Sequence, residues 1–189
     1  MTRFWWVRHG PTHLKTLAGW TDAPADLSDS AQIDWLKNRL PDGALFSSDL
    51  LRAVQTAEAL GRGAPQQDPA FRETNFGAWE GLSHAEIAEK WLDLSHSVWT
   101  HPGHAAPPGG ESWNTMAARV QSAITARKDI GGDVIIVAHH GPILAALQLA
   151  SATPADRVLA FSINNLSLTR LDWLPEAQTW RIGCVNQHL

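Results

Sequence analysis

Cysteine is nearly absent: Cys184 is the only one among 189 residues. That excludes an internal disulfide framework and any cysteine-based metal motif, and it fits a reducing, cytoplasmic setting. A basic excess is missing as well. The 15 Lys and Arg against 19 Asp and Glu give a formal net charge of -4, which lacks the electrostatic footprint of a general nucleic-acid binder. Any anion site must therefore be local. No apolar run approaches the roughly 18 residues of a membrane span, and no hydrophobic leader region precedes the first charges, so the chain reads as neither membrane-bound nor exported. Internal repeats and low-complexity tracts are lacking too. Tyrosine is absent, while tryptophan, with 10 copies, is abundant. Such large side chains belong in cores and pocket walls, and exposed copies are compatible with a homodimer.

The length fits one domain spanning 1–189, since a chain of roughly 150 residues already buries about 70% of its unfolded surface. An apolar run over Arg3 to Val7 predicts a buried strand that ends at Arg8-His9-Gly10-Pro11. Ser28 or Asp29 then caps a helix with Ile33, Leu36 and Leu40 on one face. Pro41-Asp42-Gly43 turns into a short strand, Ala44 to Ser47, after which Asp49 opens a helix bearing Leu50, Val54 and Ala57. Arg52 falls in its first turn. Ser83-His84-Ala85-Glu86 reads as a capping box for a helix through Trp91, which leaves Glu73 in the preceding loop.

Residues 93–110 are rich in His, Pro and Gly without a period, predicting an excursion that forms a lid or pocket wall. Ser112 starts a helix with Trp113, Met116, Val120 and Ile124 on one stripe, ended by Gly131-Gly132. A second buried strand, Val134 to Val137, ends at Ala138-His139-His140-Gly141, with Pro142 at the start of the next helix. Strands over Val158 to Ile163, Leu166 to Trp173 and Thr179 to Val185 complete the pattern. The fold class is α/β, a three-layer sandwich with a mostly parallel central sheet. Ligands of such sheets bind outside the carboxyl ends of the strands. Two strands that both end in histidine can place two imidazoles in one crevice.

Taken together and in order, five segments carry a resemblance: Val7-Arg8-His9-Gly10; Ser47 through Ala57, containing Arg52; Glu73-Thr74-Asn75-Phe76-Gly77-Ala78-Trp79-Glu80-Gly81; Gly109-Gly110-Glu111-Ser112; and Val137-Ala138-His139-His140-Gly141-Pro142-Ile143. Over nearly its whole length the chain resembles the histidine phosphatase (phosphoglycerate mutase-like) superfamily, in particular its short α-ribazole phosphatase and broad-specificity branch. The resemblance implies a phosphomonoesterase in which His9 attacks phosphorus and forms a phosphohistidine. Arg8, Arg52 and His139 would stabilise the phosphoryl charge, and Glu73 would serve as acid and base. It implies no metal and no cofactor, and a small-molecule phosphate ester as partner.

Thr12, Lys15 and His140 are the expected substrate contacts. Lys15 stands near where relatives carry a phosphate-contacting asparagine, and it would serve phosphate as a point charge. Pro11 stiffens a loop position that is often Glu or Gln, Leu144 replaces a common arginine, and His140 replaces a small residue. Counting back from Gly141-Pro142-Ile143 assigns the catalytic role to His139, which leaves His140 to offer its backbone N–H or its ring to the substrate, or to pack. A metal site built from His9, His13, Glu73, His139 and His140 is disfavoured, because Gly10-Pro11 prevents a helical face and paired arginines repel a divalent cation. Two further readings are a phosphoglycerate mutase-type phosphotransferase, for which the excursion is short, and a non-catalytic phosphate-binding module, for which the full residue set is unneeded.

Overall fold

The computed structural model describes residues 1–189. In chain order its elements are β1 (Thr2–Arg8), α1 (Ser30–Arg39), β2 (Ala44–Ser47), α2 (Leu51–Ala59), β3 (Gln66–Gln67), α3 (His84–Lys90), α4 (Leu92–Thr100), α5 (Trp113–Thr125), β4 (Gly132–Ala138), α6 (His140–Ser151), α7 (Ala155–Val158), β5 (Leu168–Leu174) and β6 (Thr179–Gln187). Short 3-10 turns at Pro69–Phe71 and Gly77–Trp79 frame the segment that carries Glu73. No helix is long and apolar enough to cross a membrane.

One six-stranded sheet has the order β3-β2-β4-β1-β5-β6. The first four strands run parallel, and β5 and β6 add antiparallel pairs on the far side. Side chains alternate across the central strands, as the two-residue period of a strand requires. Phe4, Trp6, Val134, Ile136 and Ala138 pack with α5 and α6 on one face. Val7, Ile135 and Val137 pack with α1 and α2 on the other. Helices cover both faces, so the central strands are almost uninterruptedly apolar, and truncating Ile136 to alanine would cost about 2–5 kcal/mol.

The connections place the site. From β1 the chain leaves through α1 on one face; from β4 it leaves through α6 on the other. Because β1 and β4 are parallel neighbours, this divergence opens a crevice at their carboxyl ends, the topological switch point where α/β sheets bind ligands.

Four local expectations need correction. The helix after β2 begins at Leu51 with Leu50 as its N-cap and no side-chain cap. Asp49 is taken instead by a bidentate pair with Arg72, at 2.7 and 2.5 Å, and that charge-assisted fork outcompetes a cap. Residues 93–110 are not irregular throughout, since α4 occupies the first part. There Leu94, Ser95, Val98 and Trp99 do keep a helical spacing, obscured by polar neighbours. The expected strand over 158–163 is absent: Pro154 caps the short helix α7 and the chain then turns, consistent with proline's pre-set φ at a helix start. Helix α5 also stops at Thr125, before the glycines, which enter β4 with φ of +80° and +72°.

Candidate active site

Register alone brings the two histidines together. Arg8 of β1 lies opposite Ala138 of β4, so the next residues, His9 and His139, leave the sheet side by side with ring centroids 4.9 Å apart. The His9 amide donates to the Ala138 carbonyl at 3.0 Å, and Asn165 Nδ2 donates to the His9 carbonyl at 2.7 Å. The next turn is fixed by Thr56 of α2, whose Oγ1 accepts from the Gly10 amide and donates to the Arg52 carbonyl. A side chain at Gly10 would run into the Asp26 carbonyl.

The tautomer of His9 follows from its partners. Nδ1 lies 2.6 Å from the Gly10 carbonyl, which can only accept, so Nδ1 carries the proton. Nε2 is left with a lone pair and meets Arg52 Nε at 3.3 Å. Burial, then the Arg52 charge and more weakly Arg8, push the His9 pKa down to about 3, against the Gly10 hydrogen bond. The imidazole is therefore neutral at physiological pH. His139 is completely buried, its ring nitrogens have no protein partner, and burial holds its pKa well below the ordinary value.

Arg52, at the start of α2, is 1% exposed. Its terminal nitrogens donate to the Gly19 and Thr21 carbonyls at 2.6 and 2.9 Å. That loop is in turn held by Glu80, which accepts from the Trp20 amide at 2.8 Å, the Phe76 amide at 3.3 Å and the Thr21 hydroxyl at 2.7 Å. Gly19 adopts φ +48°, and a Cβ there would lie 2.5 Å from Glu80 Oε1. Only glycine serves at this position. Arg8 donates through one terminal nitrogen to the Ile163 carbonyl at 2.6 Å. Burial lowers both guanidinium pKa values while the Glu73 carboxylate raises them, and arginines remain charged.

Glu73 follows the turn anchored by fully buried Phe71. Its carboxylate accepts from the Thr74 amide at 2.9 Å and from the Gly141 amide, in the first turn of α6, at 3.1 Å. Trp20 Nε1 and Arg119 hold its carbonyl. A cavity of about 470 Å³ is lined by Arg8, His9, Thr12, Arg52, Glu73 and His140, and also by Phe76, His84 and Trp99. Thr12 and His140 thus join the cavity wall. Lys15 is exposed and is not among the lining residues, and His139 sits behind the wall against His9. His13 pairs with Asp26 at 2.5 Å.

Asn165, Thr56, Glu80 and Arg119 support this site but carry no warning in the local pattern. Glu80, beside Trp79, and Thr56, four residues after Arg52, lie within segments that carry the resemblance, whereas Asn165 and Arg119 lie outside them.

Residues 4–187 match the model of the histidine phosphatase superfamily (branch 1), and the chain belongs to that family. A bifunctional protein of Mycobacterium tuberculosis is 34% identical over 170 residues, covering 79% of this chain and 44% of the relative; the chain thus spans less than half of that relative's length. A glucosyl-3-phosphoglycerate phosphatase of Mycolicibacterium vanbaalenii is 33% identical over 79% of this chain and 74% of its own length. Among solved structures, Bacillus stearothermophilus YhfR superposes with a TM-score of 0.86 and 27% identity, covering 97% of this chain and 96% of the other.

Proposed function

We propose that this chain is a phosphomonoesterase that hydrolyses small-molecule phosphate esters through a phosphohistidine on His9. The observation that carries this is the neutral His9 ring, with its Nε2 lone pair directed at Arg52 Nε in the cavity that Arg8 and Glu73 also line. A nucleophile needs a lone pair, and a phosphoryl group needs cationic donors on its equatorial oxygens. Membership of the phosphatase family and the likeness to a phosphatase relative support the same reading.

In the first displacement the Nε2 pair forms the N–P bond, and the ester P–O bond breaks on the opposite side. The leaving oxygen takes its proton from the carboxyl group of Glu73. In the second, Glu73 accepts a proton from water, the new hydroxide oxygen bonds phosphorus, and the N–P bonding pair returns to Nε2 as phosphate departs. Arg8 and Arg52 neutralise the charge in both steps, with His139 as a neutral donor, so the chemistry calls for no metal or cofactor. Thr12 and His140 contact the ester from the cavity wall, whereas Lys15 would act only by long-range attraction.

The test is release of phosphate from p-nitrophenyl phosphate with EDTA present, compared with His9→Ala. Turnover by the wild type and none by the variant supports the reading, and equal turnover by both removes it. Adding an alcohol acceptor separates the alternatives: a mutase-type enzyme passes the phosphoryl group to the acceptor rather than to water, and a binding module does neither.

A further inference from the structure

A second cavity of about 210 Å³ adjoins the first and shares Glu73, Phe76, Trp99 and His140 with it, but not His9, Arg8 or Arg52. It therefore lies on the Glu73 side of the site. If Glu73 protonates the leaving oxygen, the carbon attached to that oxygen points here. This argument rests on the phosphomonoesterase reading.

The walls are apolar: Val98 and Trp99 of α4, Pro107, Trp113 of α5 and Leu159 after α7 close around the space. Neither arginine nor lysine lines it. Its two carboxylates are Glu73, next to the phosphoryl position, and Glu111, which is fully engaged by Arg119 and the Asn75 amide. Arg119 also donates to the Ala70 and Glu73 carbonyls. Burial lowers the His140 pKa, against the charge of Glu73. The indole N–H of Trp113 is committed to Gln148 at 2.9 Å. An anionic substituent would meet no free counter-charge here and would leave water for a largely apolar wall, which is unfavourable.

The cavity is built before any ligand arrives. The Ala78 amide donates to the Pro108 carbonyl and the Glu111 amide to the Asn75 carbonyl, both at 2.9 Å. Gly77, at φ +51°, and Gly110 pack so closely there that a side chain on either would strike backbone. Trp99 stacks obliquely on Phe76 and Trp79, with centroids at 5.7 and 5.9 Å. Rigid walls spare the ordering cost of binding. An apolar cavity of about 150 Å³ already accepts benzene, so this one accommodates a substituted ring.

We propose that the preferred substrates are monophosphate esters whose alcohol carries an uncharged, ring-sized apolar group, and that alcohols bearing a carboxylate or a second phosphate are selected against. The test holds leaving-group chemistry constant by using three primary alkyl esters: 2-phenylethyl phosphate, glycerol 3-phosphate and 3-phosphoglycerate. We expect kcat/KM for the phenylethyl ester to exceed that for glycerol 3-phosphate by about tenfold or more, and that for 3-phosphoglycerate by a larger factor, in keeping with burial of a ring's apolar surface. Affinities of the matched phosphonates, 3-phenylpropylphosphonate and 2-hydroxy-4-phosphonobutanoate, give the same ordering without turnover.

Leu159→Arg, at a partly exposed wall position, should lower the phenylethyl preference and raise the share of 3-phosphoglycerate. Equal or reversed preference in the wild type, in esters and phosphonates alike, overturns the inference while leaving the phosphatase intact. If no ester is turned over, the hydrolase reading fails, and the phosphonate affinities still decide which group the cavity accepts.

Discussion

Replacing Arg52 by lysine keeps a positive charge beside His9 and removes the geometry. The guanidinium uses Nε toward His9 Nε2 and both terminal nitrogens toward the Gly19 and Thr21 carbonyls. An ammonium is a point charge without the planar fork and cannot serve all three directions at once. At least one of these buried or part-buried carbonyls then loses its donor, so folding stability should fall by about 1–3 kcal/mol. Activity should fall further. A phosphoryl oxygen that loses a pre-oriented donor in such a site costs about 10²–10³ in kcat, with vanadate or phosphate inhibition weakened in parallel. Urea unfolding reads the first quantity, and p-nitrophenyl phosphate kinetics with inhibitor titration read the second. If Arg52→Lys keeps kcat/KM within about threefold and unfolds at the wild-type urea concentration, then charge alone suffices and the fork argument is wrong.

Glu80→Gln removes the charge that gathers the Trp20 and Phe76 amides and the Thr21 hydroxyl. It should loosen the Gly19–Thr21 loop, speeding hydrogen exchange at Trp20 while lowering oxyanion affinity; an unchanged loop with unchanged affinity would detach Glu80 from the site. Acid stability offers an independent check, because a His9 pKa of about 3 in the folded chain lies below the ordinary 6.5. The unfolded chain therefore binds the proton first as pH falls. Stability is fully present above about pH 6.5 and is lost toward pH 3 by about 1.4 kcal/mol per unit for this group, with His139 adding in the same direction. Urea titrations across that range should give a shallower slope for His9→Asn, and an identical slope would contradict the burial argument. Glu73→Gln should impair phenylethyl phosphate hydrolysis far more than p-nitrophenyl phosphate hydrolysis, since p-nitrophenolate leaves with little protonation; equal losses on both would remove Glu73 from the acid role.

What could be read from the sequence was whatever depends on local period or on the ends of apolar runs. β1 and β4 are central and covered on both faces, so they appear as continuous apolar stretches, and the residues that follow them, His9 and His139, inherit their position from the register of one strand pair. Arg52 was legible because it sits in the first turn of a helix that starts just beyond β2. Helix α4 was obscured because its buried side is narrow, with only Ser95 fully covered. Asp49 looked like a cap until a distant arginine claimed it. Asn165 and Thr56 reach the His9–Gly10 turn from remote segments, and separations of that kind leave no trace in a local pattern. The apolar second cavity is likewise assembled from α4, the 102–113 segment and Leu159, which no single stretch of chain displays.

The central claim is that His9 carries the phosphoryl group between two displacements. Trypsin cutting after Arg8 and Lys15 would release His9-Gly10-Pro11-Thr12-His13-Leu14-Lys15, so the enzyme can be quenched in base during turnover, digested, and the peptide fragmented by mass spectrometry. The expected result is one added HPO3 on His9, none on His13, and no label in His9→Ala. A label on another residue, or rapid turnover with no phosphopeptide under conditions that trap the intermediate, would contradict it.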